Sequence, residues 1–233
     1  MRRMRGLVSL VLAASFVLVA SSRADAALQI ALQHDDVNGG AITVVGSAAD
    51  FSAVSFNNSY GDFTVTLFGG ASNNTALLSD LLSSTVQVRN NGTTTQTLNL
   101  FVTQTNYTLP AGSPLMVESG LGGTVNSGTV SLPGIFQAYA DSGNNAFGMT
   151  DFTNGPQNAT LTGSTLDTGS ATGLFNRVGL YSLTSVVRFE VSAGGNGNFS
   201  THVNVSVPDA GSTASLLLLG VGLIAAARRK MSM

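Results

Sequence analysis

The sequence predicts an all-β protein, a β-sandwich of about ten short strands. Three observations carry that reading. Apolar residues recur with a period of two in successive short runs, the signature of half-buried strands. Gly, Ser, Thr and Asn crowd the intervals between the runs, where turns need positive φ or local side-chain hydrogen bonds. Charged residues make up only 9% of the chain, and the middle lacks the Ala, Leu, Glu and Lys windows that favour helices.

The runs follow in order. "LQIALQ" (28–33) alternates, and "AITVVG" (41–46) is apolar, with a turn at His34–Gly39 between them. In "DFTVTLFGG" (62–70), Phe63, Val65 and Leu67 share one face, and in "STVQVRN" (84–90) Val86 and Val88 point inward. "TQTLNLFVTQTNYTLP" (95–110) is a longer strand stopped by Pro110, which cannot donate to a ladder. "GTVSLPG" (128–134), "IFQAYAD" (135–141) and "NAFGMTDF" (145–152) come next. "LYSLTSVVRFEVSAGG" (180–195) and "GNFSTHVNVSV" (197–207) predict a closing hairpin through Gly194–Gly197, with Phe199, Thr201, Val203 and Val205 on one side. One short helix is expected at "NTALLSDLLSS" (74–84), from the spacing of Leu77, Leu78, Leu81 and Leu82 behind a capping Asn74 or Thr75. Residues 163–179 read as a loop anchored by Leu174 and Phe175.

Composition narrows the functional classes. The chain has 233 residues, no Cys and no Trp. Disulfides and thiolate metal sites are thereby excluded. Between Ala27 and Ser206, Arg89, Arg177 and Arg188 stand against ten acids: Asp35, Asp36, Asp50, Asp62, Asp80, Glu118, Asp141, Asp151, Asp167 and Glu190. Three minus ten leaves −7, a charge that repels phosphate backbones, so nucleic acid is not an expected partner.

The two ends are the most specific part of the chain. Residues 1–26 carry Arg2, Arg3 and Arg5, an apolar run from Leu7 to Ala20, and the small residues Ala24 and Ala26 flanking Asp25. Those are the three parts of a secretory signal, with signal peptidase expected to cut after Ala26. At the other end, Ala214 to Ala227 is apolar except for Ser215, and Arg228, Arg229 and Lys230 follow at once. As a helix this run spans about 21 Å, short against a hydrocarbon core of about 30 Å. Its seven strongly apolar residues (Leu216–Leu219, Val221, Leu223 and Ile224) contribute roughly −2 to −4 kcal/mol to insertion. Each cation costs roughly 2.5 kcal/mol at the bilayer centre. The three cations together outweigh the apolar gain, so they are expected to stop at the cytoplasmic face with the body outside.

Just before the run, Pro208 holds Val207 extended, and Asp209, Ala210 and Gly211 keep the backbone accessible. The stretch "VPDAGSTASLLLLGVGLIAAARRK" resembles the PEP-CTERM sorting tails in their VPD-starting, VPDSG-CTERM form. Val207, Pro208 and Asp209 match that signature, Gly211 stands at its Gly, and Ala210 replaces its Ser. The resemblance implies an exosortase, a multi-pass transpeptidase of Gram-negative membranes, as the processing partner. It also implies delivery to the cell surface or an exopolysaccharide matrix. No LPxTG precedes the tail, and a GPI signal would not end in a basic cluster. Three regions are expected: a signal peptide (1–26), an extracytoplasmic sandwich (27–206) and a sorting tail (207–233), its helix at 214–227 held in the cytoplasmic membrane.

Nothing in the middle marks chemistry. His34 and His202 are the only histidines; a metal site would need them close together with a carboxylate, which their sequence separation leaves open, and exposed or strand-edge positions are expected instead. His34-Asp35-Asp36-Val37-Asn38-Gly39 has Val37 where a calcium ligand would stand and no closing Glu. No G-x-S-x-G marks a nucleophile, and Glu118 and Glu190 are the only glutamates. The expectation is a non-enzymatic surface or matrix protein with no cofactor and no metal. The alternative is a carbohydrate-binding module using Tyr60, Tyr107, Tyr139 and Tyr181 as platforms, with polysaccharide as its partner.

Overall fold

The computed structural model describes residues 27–49, 52–130 and 134–208. The signal peptide with Ala24 and Ala26, the motif residues Asp209, Ala210 and Gly211, the 214–227 run and Arg228–Lys230 lie outside the described residues.

Among the described residues, fourteen antiparallel strands form two sheets. Six of them, β1 (Ala27–Gln33), β2 (Thr43–Ala49), β6 (Gln96–Tyr107), β8 (Phe136–Asp141), β9 (Phe152–Gln157) and β13 (Tyr181–Val191), make one sheet in the order β2-β1-β6-β13-β8-β9. The other sheet runs β10 (Thr160–Thr162), β11 (Thr165–Asp167), β7 (Leu115–Ser127), β14 (Asn196–Ser206), β5 (Leu78–Asn90), β4 (Phe63–Asn74) and β3 (Val54–Tyr60), with β12 (Ala171–Phe175) also paired to β7. Period-two alternation aims one face of each strand at a single core between the sheets. Phe63, Val65, Leu67, Val86 and Val88 enter it from one side, and Leu98, Leu100, Val102, Leu183, Val187 and Phe189 from the other. Phe189 meets Phe199 across the gap with ring centroids 4.6 Å apart.

Several elements differ from the sequence reading. The expected helix at 74–84 is instead the end of β4, a turn, and the start of β5. The leucine spacing misled because four is a multiple of two as well as close to a helical turn. Ser79, Leu81 and Ser83 face the core, while Leu78, Asp80 and Leu82 face out, and β5 is hydrogen-bonded on both flanks, by β4 and β14. The expected closing hairpin is an arch: β13 belongs to one sheet and β14 to the other. Their apolar faces therefore oppose each other rather than lying side by side. Within 163–179, β11 and β12 pair with β7. Phe175 is buried as an anchor, but Leu174 points outward at 60% exposure. Residues 145–151 form a loop, and β9 begins only at Phe152. Of 128–134, the described residues contribute one bridge, Val130 to Val191. Strands β3 and β7 were not anticipated. In β7, Gly120, Gly122 and Gly123 interrupt the apolar alternation.

The registers fix which strand ends lie together. β1 begins beside the end of β6, through Leu28 opposite Gln104. β6 ends beside the start of β13, through Tyr107 opposite Tyr181. β14 ends between the starts of β5 and β7, with Ser206 opposite Leu78 and Met116. The hydroxyl of Ser79 donates to Leu109 O, just past β6, and joins the two sheets there. The first and last strands thus enter and leave the sandwich at one end, together with the turns at 75–77, 108–114 and 176–180. The opposite end holds the arches 91–95 and 192–195.

Asn90 ties those two arches. It is fully buried. Its Nδ2 donates to Thr94 O and Val191 O, each at 2.8 Å. Its Oδ1 accepts from Gly92 N, and its backbone N–H donates to Gly195 O. Removing the amide would leave buried carbonyls without donors. Asn90→Ala is expected to cost about 3 kcal/mol, read as a shift in the urea midpoint. Asn90→Asp should also destabilise, because it keeps the acceptor and loses both donors.

Candidate sorting-signal junction

The ladder of β14 lasts until Ser206, and the next two residues leave it. Up to that point every residue of the strand has a partner in β7, and every one but Ser200, at a bulge, also has one in β5. Val207 is 47% exposed. Pro208 has no N–H to offer a neighbouring strand, so regular pairing has a chemical stop. Of the predicted motif, the structure therefore places Val207 and Pro208 outside the sheet, at the surface.

The end that releases the tail is braced from within. Tyr107 and Tyr181 stack with centroids 5.2 Å apart. Tyr107 Oη donates to Asp80 O at 2.7 Å, and Tyr181 Oη donates to Leu109 O at 2.6 Å. Asn74 Oδ1 accepts from Thr108 N and Leu109 N. Arg177 donates to Thr108 O and Pro110 O and lies 5.6 Å from the Tyr181 ring centroid. Burial pushes the Tyr181 phenol up to about 12, against the opposing pull of the Ser79 hydroxyl and Arg177.

These contacts revise the tyrosine platforms. Tyr60, Tyr107 and Tyr181 are buried, and Tyr60 Oη donates to Leu32 O. Tyr139 alone is half-exposed, and burial raises its phenol as well. A tyrosine in an alternating run faces the core or solvent according to parity, which residue type alone does not assign.

The histidines are not brought together. His34 is buried in the turn after β1, edge-on to Phe63, and its Nδ1 accepts from Asp36 N. His202 lies on the outer face of the eight-stranded sheet, opposite Gly120 and Leu82. Among the described residues no three metal-ligating side chains gather. His202 does line an open groove of about 390 Å³ with Asp167, Ser170, Ser200, Gly122 and Gly123. The glycines create it. A Cβ on Gly120 would stand 2.5 Å from Gly169 O and 2.8 Å from His202 Cε1, whereas one on Gly122 would meet nothing. No Phe or Tyr side chain lines this groove, and among the described residues no hydrogen bond joins the imidazole to the neighbouring Ser or Asp side chains.

Two carboxylates shift for opposite reasons. Asp80, on the outer face opposite Asn204, is raised by burial. Asp151 is lowered by the hydroxyl and the backbone N–H of Ser142, both of which donate to it.

The comparison with protein families gives one match. The VPDSG-CTERM motif covers residues 206–231, a stretch that contains Val207–Gly211 and Arg228–Lys230. No curated protein matches the chain. The match begins at the last residue of β14. The chain thus carries the C-terminal motif of an exported, sorted protein, consistent with an exosortase-type processing partner.

The Tyr181 brace makes a pH prediction. An unfolded tyrosine ionises near pH 10, while the folded one holds its proton to about 12. The folded state then binds more protons than the unfolded state, so stability falls as pH rises between those values. The expected loss is about 2–3 kcal/mol across that window. In Tyr181→Phe this component disappears, while stability at pH 7 drops by about 1 kcal/mol for the lost hydrogen bond. Urea titrations of both proteins at pH 7, 10 and 11.5 read both effects.

Proposed function

We propose that this is a non-enzymatic protein of the cell surface or exopolysaccharide matrix of a Gram-negative bacterium. A signal peptidase frees its N-terminus after Ala26. Its C-terminal run holds it in the cytoplasmic membrane with Arg228, Arg229 and Lys230 inside. An exosortase-like transpeptidase then cuts near Pro208-Asp209.

The observation that carries this reading is the coincidence of two boundaries. The sandwich closes its last strand at Ser206, and the sorting motif starts at that residue. A processing enzyme binds an extended backbone with free N–H and C=O groups, and a strand still engaged in a sheet has none to offer. Val207 and Pro208 lie outside the ladder, Val207 carrying an N–H and a C=O and Pro208 a C=O, which supports recognition without any unfolding of the body. The surface of the sandwich supports the matrix role: Thr, Ser, Asn and Gln occupy exposed positions where Lys would often stand, which suits hydrogen bonding to sugar hydroxyls. The carbohydrate-module alternative has lost three of its four tyrosines to the core and is not favoured.

Mass spectrometry of protein recovered outside the cell tests the reading. The expected C-terminus lies within or close to residues 207–211. Exported protein extending intact to Met233 would contradict it. Cells lacking the transpeptidase should retain full-length chain in the membrane fraction.

A further inference from the structure

We infer that the end of the sandwich from which the tail departs is a lipid-contacting rim, seated on the outer surface of the bilayer while the tail is inserted. This rests on the proposed membrane insertion of the tail and goes beyond it, because it assigns a docking function to the folded body. The juxtaposition is set by register. Leu78, Ser206, Met116 and Leu174 lie in one row across β5, β14, β7 and β12, on the outer face of the sheet. Just beyond that row, Leu77 is 85% exposed and Val178 is 89% exposed. These are the two most exposed large apolar side chains among the described residues. Leu180 and Val207 add to the same end. Single exposed apolar residues are ordinary on a protein surface, but a cluster of them marks a contact.

The chain's own connectivity names the occupant. Residues 207–213 separate the last strand from the apolar run at Ala214. Seven residues span at most about 25 Å. An inserted run therefore keeps this end, and not the opposite one, close to the headgroups. β1 starts at the same end, so the segment that delivers the chain across the membrane also leaves from here. Charge does not set the orientation, because Arg89 and Arg188 lie toward the far end together with Glu190. Arg177 sits at this end, braced on Thr108 O and Pro110 O, whereas the exposed Asp35, Asp36 and Asp62 lie at the far end. The next outward-facing row back from the rim holds Asp80, Asn204 and Glu118, about 7 Å behind it. These two acids, with the exposed Asp151 on the neighbouring 142–151 loop, limit contact to the headgroup boundary. That depth is typical of interfacial apolar contacts.

The absence of cysteine makes single labels clean. The full chain is reconstituted into phosphatidylethanolamine–phosphatidylglycerol vesicles carrying a shallow nitroxide lipid. An environment-sensitive fluorophore is placed at Leu77→Cys or Val178→Cys, and at Asp36→Cys or Asp62→Cys as far-end controls. All four sites are exposed, and thermal melts verify that each variant keeps its fold. The expected result is a blue shift and several-fold greater quenching at 77 and 178 than at 36 and 62. Resistance of the protein to carbonate extraction reports tail insertion independently. Resistant protein with equal quenching at both ends would overturn the rim and leave the sorting reading standing. Protein released by carbonate would overturn both. A blue shift at 178 without nitroxide quenching would mean that a second copy covers the rim, and would also overturn it.

Discussion

The backbone hydrogen-bond ladder of β14 is the constraint on which the rest depends. A strand with neighbours on both sides has its N–H and C=O groups committed. β14 is such a strand, held between β5 and β7 as far as Ser206. The sorting motif begins where that commitment ends. Had the last strand been at an edge, one row of backbone groups would have been free and the boundary between body and tail diffuse. Placing the terminal strand in the interior of the sheet also means that a pull on the tail loads two ladders at once.

The two ends of the sandwich are built differently, and each construction suits its position. At the far end the chain passes between sheets through arches, and one buried amide, Asn90, satisfies the carbonyls that such crossings would strand. At the tail end the closure is aromatic. Tyr107 and Tyr181 stack and spend their hydroxyls on backbone carbonyls of the turns beside them. This brace keeps the point of departure fixed while leaving Val207 and Pro208 outside the ladder. The most exposed apolar side chains at this end, Leu77 and Val178, are on turns, where no neighbouring strand can cover them.

How far the sequence was legible depended on the range of the interactions involved. The sorting tail was readable because its three parts are contiguous and each acts through its own residues. Strand faces were readable wherever alternation was clean: Phe63, Val65 and Leu67 face the core, as do Phe199, Thr201, Val203 and Val205. The 74–84 segment was misread because a four-residue leucine spacing satisfies both periods, and only pairing with β4 and β14 decides between them. The β13–β14 connection was misread because Gly-rich turns serve hairpins and arches alike. Which one forms depends on whether two apolar faces oppose each other across the core, a tertiary fact. The glycine-floored groove beside His202 left no trace in sequence beyond the Gly120, Gly122 and Gly123 cluster, and the clustering of both junctions at one end follows from registers that no local pattern encodes.

The account as a whole requires the sandwich and the last residue to lie on opposite sides of one membrane before processing. The direct measurement is protease accessibility in spheroplasts whose processing enzyme is absent, using an epitope placed after Met233 and an antibody to the sandwich. External protease that reaches the Val207–Gly211 segment while the C-terminal epitope survives until the membrane is opened is the predicted result. An epitope lost at the same rate with the membrane intact would contradict the account.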